Sequence, residues 1–200
     1  MRPLLLAGPA GSGKDHAARY LAARWNLAAH HLAAPLYALV DSPSGRHAVK
    51  RLAGDDLGRQ AEVRRRFLQG AGDLYRNLSP TLLVDCLVDR AAADAPRIVV
   101  PDLRLPEELA GLRRHWPDAL LIYCDVPEAI RQERLAARDG AVLSFRGRNH
   151  DTEVAVLALK SVADIVWDNS GDWATTAQRL LDQVTSPLLG CPKTKKRMEG

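Results

Sequence analysis

The sequence predicts an α/β protein in which a parallel sheet lies between two layers of helices. Three observations point there: short, almost wholly apolar runs alternate with longer stretches of helical periodicity; the first such run feeds a glycine-rich turn ending in Lys-Asp; and 200 residues is the size of one domain of this kind. Runs that are apolar at every position are what strands look like when both faces of a parallel sheet are covered.

The first run, Pro3-Leu-Leu-Leu-Ala7, predicts a strand. Behind it stand Gly8, Pro9, Ala10, Gly11, Ser12, Gly13, Lys14 and Asp15. A glycine, four residues and then Gly-Lys, between a strand and a helix, is the spacing of a phosphate-binding loop. The glycines let the chain turn its N–H groups inward, the next helix adds its dipole, and Lys14 supplies a mobile charge for β- and γ-oxygens. Ala17, Ala18, Leu21 and Trp25 then recur at helical spacing. The phosphates of a nucleoside triphosphate are expected on residues 10 to 15, with Gly8 opening the turn and His16 just beyond it. Asp15 occupies the place where Ser or Thr usually ligates Mg²⁺; a carboxylate is a hard oxygen ligand that can hold the ion directly or through water. An acid in the first helical turn is also favoured by the dipole by about 0.3–1 kcal/mol, so a cap and a ligand are compatible readings.

Helices are expected near 57 to 69, 80 to 93, 106 to 115, 127 to 138, 152 to 162 and 173 to 184, and further strands at 97 to 100, 119 to 124 and 164 to 167. Asp41-Ser-Pro-Ser-Gly45 and Arg138-Asp-Gly-Ala141 read as loops. Ligands of such a sheet sit at the carboxyl ends of its strands. The strand 97 to 100 runs into Pro101, Asp102, Leu103 and Arg104 at that edge. Asp102 is a candidate second carboxylate on the Mg²⁺ side or a substrate acceptor, and Arg104 a candidate for an acceptor phosphate. The competing reading makes Asp102 the cap of the helix opened by Pro106 and pairs Arg104 with Glu107 or Glu108. Arg131, Arg134 and Arg138 form a stripe on the helix 127 to 138. Like charges at that spacing cost a helix a few tenths of a kcal/mol unless an anion compensates, so the stripe reads either as a flap that closes on transferring phosphates or as a solvated cationic face. Arg64, Arg65 and Arg66 say less, because Glu62 lies within reach of two of them.

Apolar content of 46% beside 26% charged residues fits an ordinary globular protein, and no run approaches the ~20 apolar residues of a membrane span. The apolar start is too short for a leader peptide. Cys86, Cys124 and Cys191 are widely spaced and odd in number, which suggests neither disulfides nor zinc and implies a reducing compartment, the cytoplasm. The six histidines lack metal-ligand spacing. Part of the net charge of +4 lies in Lys193, Lys195, Lys196 and Arg197, so residues 188 to 200 read as a flexible basic tail rather than a nucleic-acid site.

With these motifs assembled, the chain resembles the deoxynucleoside monophosphate kinases found in bacteriophages and some bacteria. Gly13-Lys14-Asp15 matches the loop ending of that family. Leu68-Gln69-Gly-Ala-Gly72-Asp73-Leu-Tyr-Arg76 is similar to its Leu-Gln-x-x-Gly-Thr-x-x-x-Arg, Asp102-Leu-Arg104-Leu-Pro106-Glu107-Glu108 to its Asp-x-Arg-x-Pro-x-Glu, His150-Asp-Thr152-Glu153 to His-x-Ser-Glu, and Asn169-Ser-Gly171 to Asn-x-Gly. The resemblance implies a three-layer P-loop kinase fold over residues 1 to 187, with five parallel strands, a helical acceptor-binding region at about 35 to 80 and an arginine-bearing lid at about 127 to 150. It implies ATP and Mg²⁺ as cofactors and a (deoxy)nucleoside 5′-monophosphate as the small-molecule partner, with no specific nucleic acid, no membrane and room for a homodimer. Lys14, Arg131, Arg134 and Arg138 would then stabilise the transferring group and Asp15 and Asp102 would organise Mg²⁺. Arg66, Gln69, Arg76, Asp102 and Arg104 would hold the acceptor, and Asn169 and Gly171 would edge the adenine. A kinase of another small phosphorylated metabolite, such as the animal-type phosphomevalonate kinase with its own Gly-Lys-Asp, is the alternative, and a nucleic-acid-associated ATPase a weaker one.

Overall fold

The computed structural model describes residues 1–139 and 151–188. Five strands form one sheet in which every pairing is parallel: β1 (Leu4–Ala7), β2 (Ala28–Ala29), β3 (Ile98–Leu103), β4 (Leu120–Asp125) and β5 (Ile165–Asp168), in the spatial order β2-β3-β1-β4-β5. The helices are α1 (Lys14–Trp25), α2 (Ala34–Val40), α3 (Pro43–Ala53), α4 (Leu57–Leu78), α5 (Leu82–Ala91), α6 (Pro106–His115), α7 (Glu128–Asp139), α8 (Asp151–Ala158) and α9 (Trp173–Leu188).

Alternation along β1 explains the layers. Leu5 and Ala7 face a core built with Val84, Leu87, Leu109 and Leu112 from α5 and α6, whereas Leu4 and Leu6 face one built with Ala17, Leu21, Leu180 and Val184 from α1 and α9. Both sets are fully buried or nearly so, which is why the strand is apolar throughout. Trp167 is completely buried in the second layer and donates its indole N–H to the Thr176 carbonyl at 2.8 Å.

The region from 35 to 80 is more helical than the sequence pattern indicates. The stretch expected as a loop around Asp41–Gly45 is a junction between α2 and α3, with Ser42 as the N-cap accepting from the Gly45 amide at 3.0 Å. β2 is only two residues long, too short to leave a periodic signal. α4 runs to Leu78 rather than 69, and β3 extends to Leu103 rather than ending at Val100. Pro101 is tolerated inside β3 because β2 has already ended opposite Val99, so its missing N–H leaves no ladder bond unmade. Between Leu5↔Val100 and Ala7↔Leu103 the register slips by one residue, a bulge that falls on Pro101 and Asp102. Among the described residues no helix is long and apolar enough to cross a membrane.

Candidate active site

The carboxyl ends of β1, β3, β4 and β5 frame the site, and the sheet order puts β1 between β3 and β4, so the turn after β1 opens at the reversal point of the topology. Gly8 to Gly13 form that turn. Gly13 holds φ at +87°, and a Cβ there would lie 2.4 Å from the Asn169 side-chain nitrogen, so only glycine admits the approach. Lys14 and Asp15 enter α1, where the amides of His16 and Ala17 bond to the Gly13 carbonyl. Lys14 is only 6% exposed, and its Nζ stands 3.9 Å from the exposed Asp15 carboxylate. Behind it lies the buried Cys124, whose thiol burial pushes up to about 12 against the pull of Lys14. The thiol is therefore neutral and leaves the lysine charge uncompensated from that side.

Two arginines of α7 reach back to the loop. Arg131 donates from Nη1 to the Ala10 carbonyl at 3.1 Å, and Arg134 donates from Nη2 to the Asn169 carbonyl at 2.8 Å. The Arg131 carbonyl and Leu135 close over Gly11, where a Cβ would come within 2.7 Å of the carbonyl oxygen. A guanidinium carries five donors, so one contact to a carbonyl does not exhaust it. Arg131 and Arg134 thus stand close to the loop, while the Arg138 side chain lies outside the described residues, as do residues 140–150 of the expected lid, with His150, and the tail from 189 with Cys191.

Asn169 braces the loop from within the fold. It is 4% exposed; its Nδ2 donates to the Ser12 carbonyl at 2.9 Å and its Oδ1 accepts from Thr176 Oγ1 at 3.1 Å, tying the loop to α9. Gly171 lies in the exposed turn just beyond, where a Cβ would meet only Thr176 Cγ2, at 3.4 Å. His16 is exposed and stacks edge-on against Trp173 of α9, ring centroids 4.0 Å apart.

A second cluster is centred on the end of β3. Asp102, turned by the bulge, accepts from the amides of Leu32 at 2.9 Å and Ala33 at 3.0 Å, and its Oδ2 lies 3.8 Å from His31 Nδ1. Both oxygens thus anchor the segment that enters α2. The cap of α6 is not Asp102 but Glu108, whose Oε2 accepts from the amides of Arg104 at 3.0 Å and Leu105 at 3.1 Å. Burial raises the Glu108 carboxyl above its ordinary value, with those amides and Arg76 pulling the other way. Arg76, from α4, lies 3.3 Å from Asp73 and places Nε 3.8 Å from Glu108 Oε1. Gln69, seven residues before Arg76, falls on the same helical face and is half-buried. Arg66 is not part of this group: its side chain is 69% exposed and its Nε bonds Glu62 at 2.7 Å, one turn back, the intrahelical pairing that the spacing suggests.

Among the described residues no three His, Cys, Asp or Glu side chains cluster to hold a metal. A Mg²⁺ ion on a nucleotide needs less, commonly one or two carboxylates with phosphate oxygens and water. Asp15, a solvent-open carboxylate at the loop's end, fits that demand. The sequence offered Glu108 only as a pairing partner of Arg104, not as a cap, and missed Thr176. Glu108 was legible as the third residue of a helix opened by Pro106; Thr176 left no local signal, since its role is a contact with Asn169.

The architecture is a three-layer α/β P-loop fold, and solved structures share it. The protein TT1252 of Thermus thermophilus is 21% identical, with 94% of this chain and 97% of that one covered at a TM-score of 0.58. Shikimate kinase of Aquifex aeolicus is 12% identical, with 94% and 99% covered at 0.51. Dephospho-CoA kinase of Campylobacter jejuni is 13% identical, with 93% and 97% covered at 0.50. No protein-family model matches the chain, and no curated protein matches it significantly.

Proposed function

We propose that the protein is an ATP-dependent kinase that moves the γ-phosphoryl group of ATP to the 5′-phosphate of a (deoxy)nucleoside monophosphate. The observation that carries the reading is that arginines border two clusters at the carboxyl ends of one sheet: the phosphate loop with Lys14, Arg131 and Arg134 on the donor side, and Arg76 near the Arg104 turn, alongside Asp73 and Glu108, on the acceptor side. Guanidinium groups in both clusters suit a reaction in which donor and acceptor are both anions. Fold-sharing with proteins named as kinases is in keeping with group transfer, and the nucleoside monophosphate acceptor rests on the motif resemblance.

The chemistry asked of the protein is alignment and charge neutralisation, because an acceptor phosphate is already a nucleophile and needs no strong base. The loop amides and Lys14 bind the β- and γ-phosphates. Asp15 would hold Mg²⁺, which supplies charge neutralisation to those phosphates when bound. Arg131 and Arg134 would follow charge onto the equatorial oxygens, and Arg76 and Arg104 would orient the acceptor in line. Asp102 acts at one remove, fixing the entry to α2 through Leu32 and Ala33.

The test is ADP release over a panel of ribo- and deoxyribonucleoside monophosphates, other phosphorylated small metabolites, and DNA or RNA. The reading expects turnover with at least one monophosphate, and a loss of roughly 10²–10³-fold in kcat with Lys14→Ala. Turnover stimulated by nucleic acid alone, or by another metabolite alone, overturns it.

A further inference from the structure

We propose that Glu108 is a positioning residue that locks the Arg76 side chain and the Arg104 turn into one acceptor-side anion clamp. This rests on the reading of Arg76 and Arg104 as acceptor-facing groups. Three elements converge on this carboxylate. It sits on α6 with its side chain only 4% exposed. Oε2 fixes the strand-to-helix turn by accepting from both Arg104 and Leu105, while Oε1 faces Arg76 Nε, a buried donor with no hydrogen-bond partner among the described residues. The guanidinium is held from behind as well. Gly72, one turn earlier on α4, leaves a slot in which a Cβ would come within 3.1 Å of Arg76 Nη1, and Asp73 takes that same nitrogen at 3.3 Å.

α4 and α6 share one core and both pack on α5, which fixes their backbones but not the end of a long side chain. An arginine reaching from α4 has several rotamers open to it, yet an anion bound by it and by the turn at the end of β3 requires one separation. One buried carboxylate touching both removes that freedom before the anion arrives, which lowers the ordering cost of binding. A cap alone would need only Oε2. The orientation of Oε1 toward Arg76 is what a purely structural cap does not call for.

Glu108→Gln separates the two functions, because the amide oxygen can still accept from Arg104 and Leu105 while the charge facing Arg76 is gone. For the wild type, Glu108→Gln, Arg76→Lys and the double variant, we would measure urea unfolding and, with whichever monophosphate the panel identifies, kcat and both KM values. The clamp predicts non-additive unfolding effects and a rise of about tenfold in acceptor KM in Glu108→Gln, with ATP KM within about twofold and no further rise in the double variant. Additive unfolding effects overturn the Glu108–Arg76 link whatever the substrate. Coupled unfolding with an unmoved acceptor KM overturns the clamp's role in binding, and so does an equal rise in both KM values. If the wild type turns over no monophosphate, the proposed function fails by itself, while the unfolding cycle still decides whether Glu108 holds Arg76. Should Glu108→Gln not fold, Arg76→Lys and Arg76→Gln carry the same KM comparison.

Discussion

Replacing Asn169 by alanine cuts the brace between the phosphate loop and α9, and the structure allows its cost to be worked out. Thr176 Oγ1 keeps the carbonyls of Asp172 at 2.9 Å and Trp173 at 3.3 Å, so losing the Asn169 acceptor leaves it satisfied. The Ser12 carbonyl is different: Ser12 is fully buried, and the donor at 2.9 Å disappears. An orphaned buried acceptor costs about 1–3 kcal/mol, and the vacated side-chain volume adds about 1 kcal/mol. For a protein of this size 1 kcal/mol moves Tm by about 2–4 °C, so a fall of roughly 5–15 °C is expected. Because the released carbonyl lies inside the loop, the loop amides also lose their fixed geometry, and ATP KM should rise by more than kcat falls. Differential scanning fluorimetry and initial-rate kinetics on the same sample read both effects. A Tm within about 1 °C of wild type, where a fall of at least several degrees is due, would refute the claim that this amide organises the loop.

Two further outcomes follow from the titrating groups. Cys124, fully buried with its thiol pushed up to about 12, should resist alkylation by iodoacetamide in the folded protein at pH 8 and react only on unfolding; mass mapping of native and urea-treated samples reads this, and native labelling would mean that the end of β4 is open. Glu108 has its carboxyl raised above the ordinary 4.5 mainly by burial, so the folded state holds that proton more tightly than the unfolded chain. Its contribution to stability is full below 4.5 and is lost as pH rises through the higher folded value. The stability of wild type relative to Glu108→Gln should therefore be greatest in acid and shrink as pH is raised, measured by urea unfolding from acid to neutral pH. A gap that widens with pH contradicts the burial argument.

Short-range patterns fixed a good deal of this molecule from the sequence. Leu4–Ala7 had to be a covered strand because it carries no polar residue, and Gly13-Lys14 had to close a tight turn into a helix because glycine, lysine and a helical pattern stand in immediate succession. The Glu62–Arg66 pairing follows from helical spacing alone. These inferences hold because every interaction they invoke lies within about two turns of chain, where geometry is set by the backbone.

Tertiary structure decided the rest. Asp102 looks in sequence like a metal ligand or a helix cap; a one-residue slip between β1 and β3 turns it instead onto the amides of Leu32 and Ala33, some seventy residues away. Asn169 looks like a loop residue open to ligand until α9 packs beside β5 and closes its amide between Ser12 and Thr176. Which of two equivalent acids, Glu107 or Glu108, points inward depends on how α6 lies against the sheet and α5. A sequence records which side chains can make such bonds, but the partner is chosen when buried polar atoms compete for the few donors and acceptors that packing brings within reach.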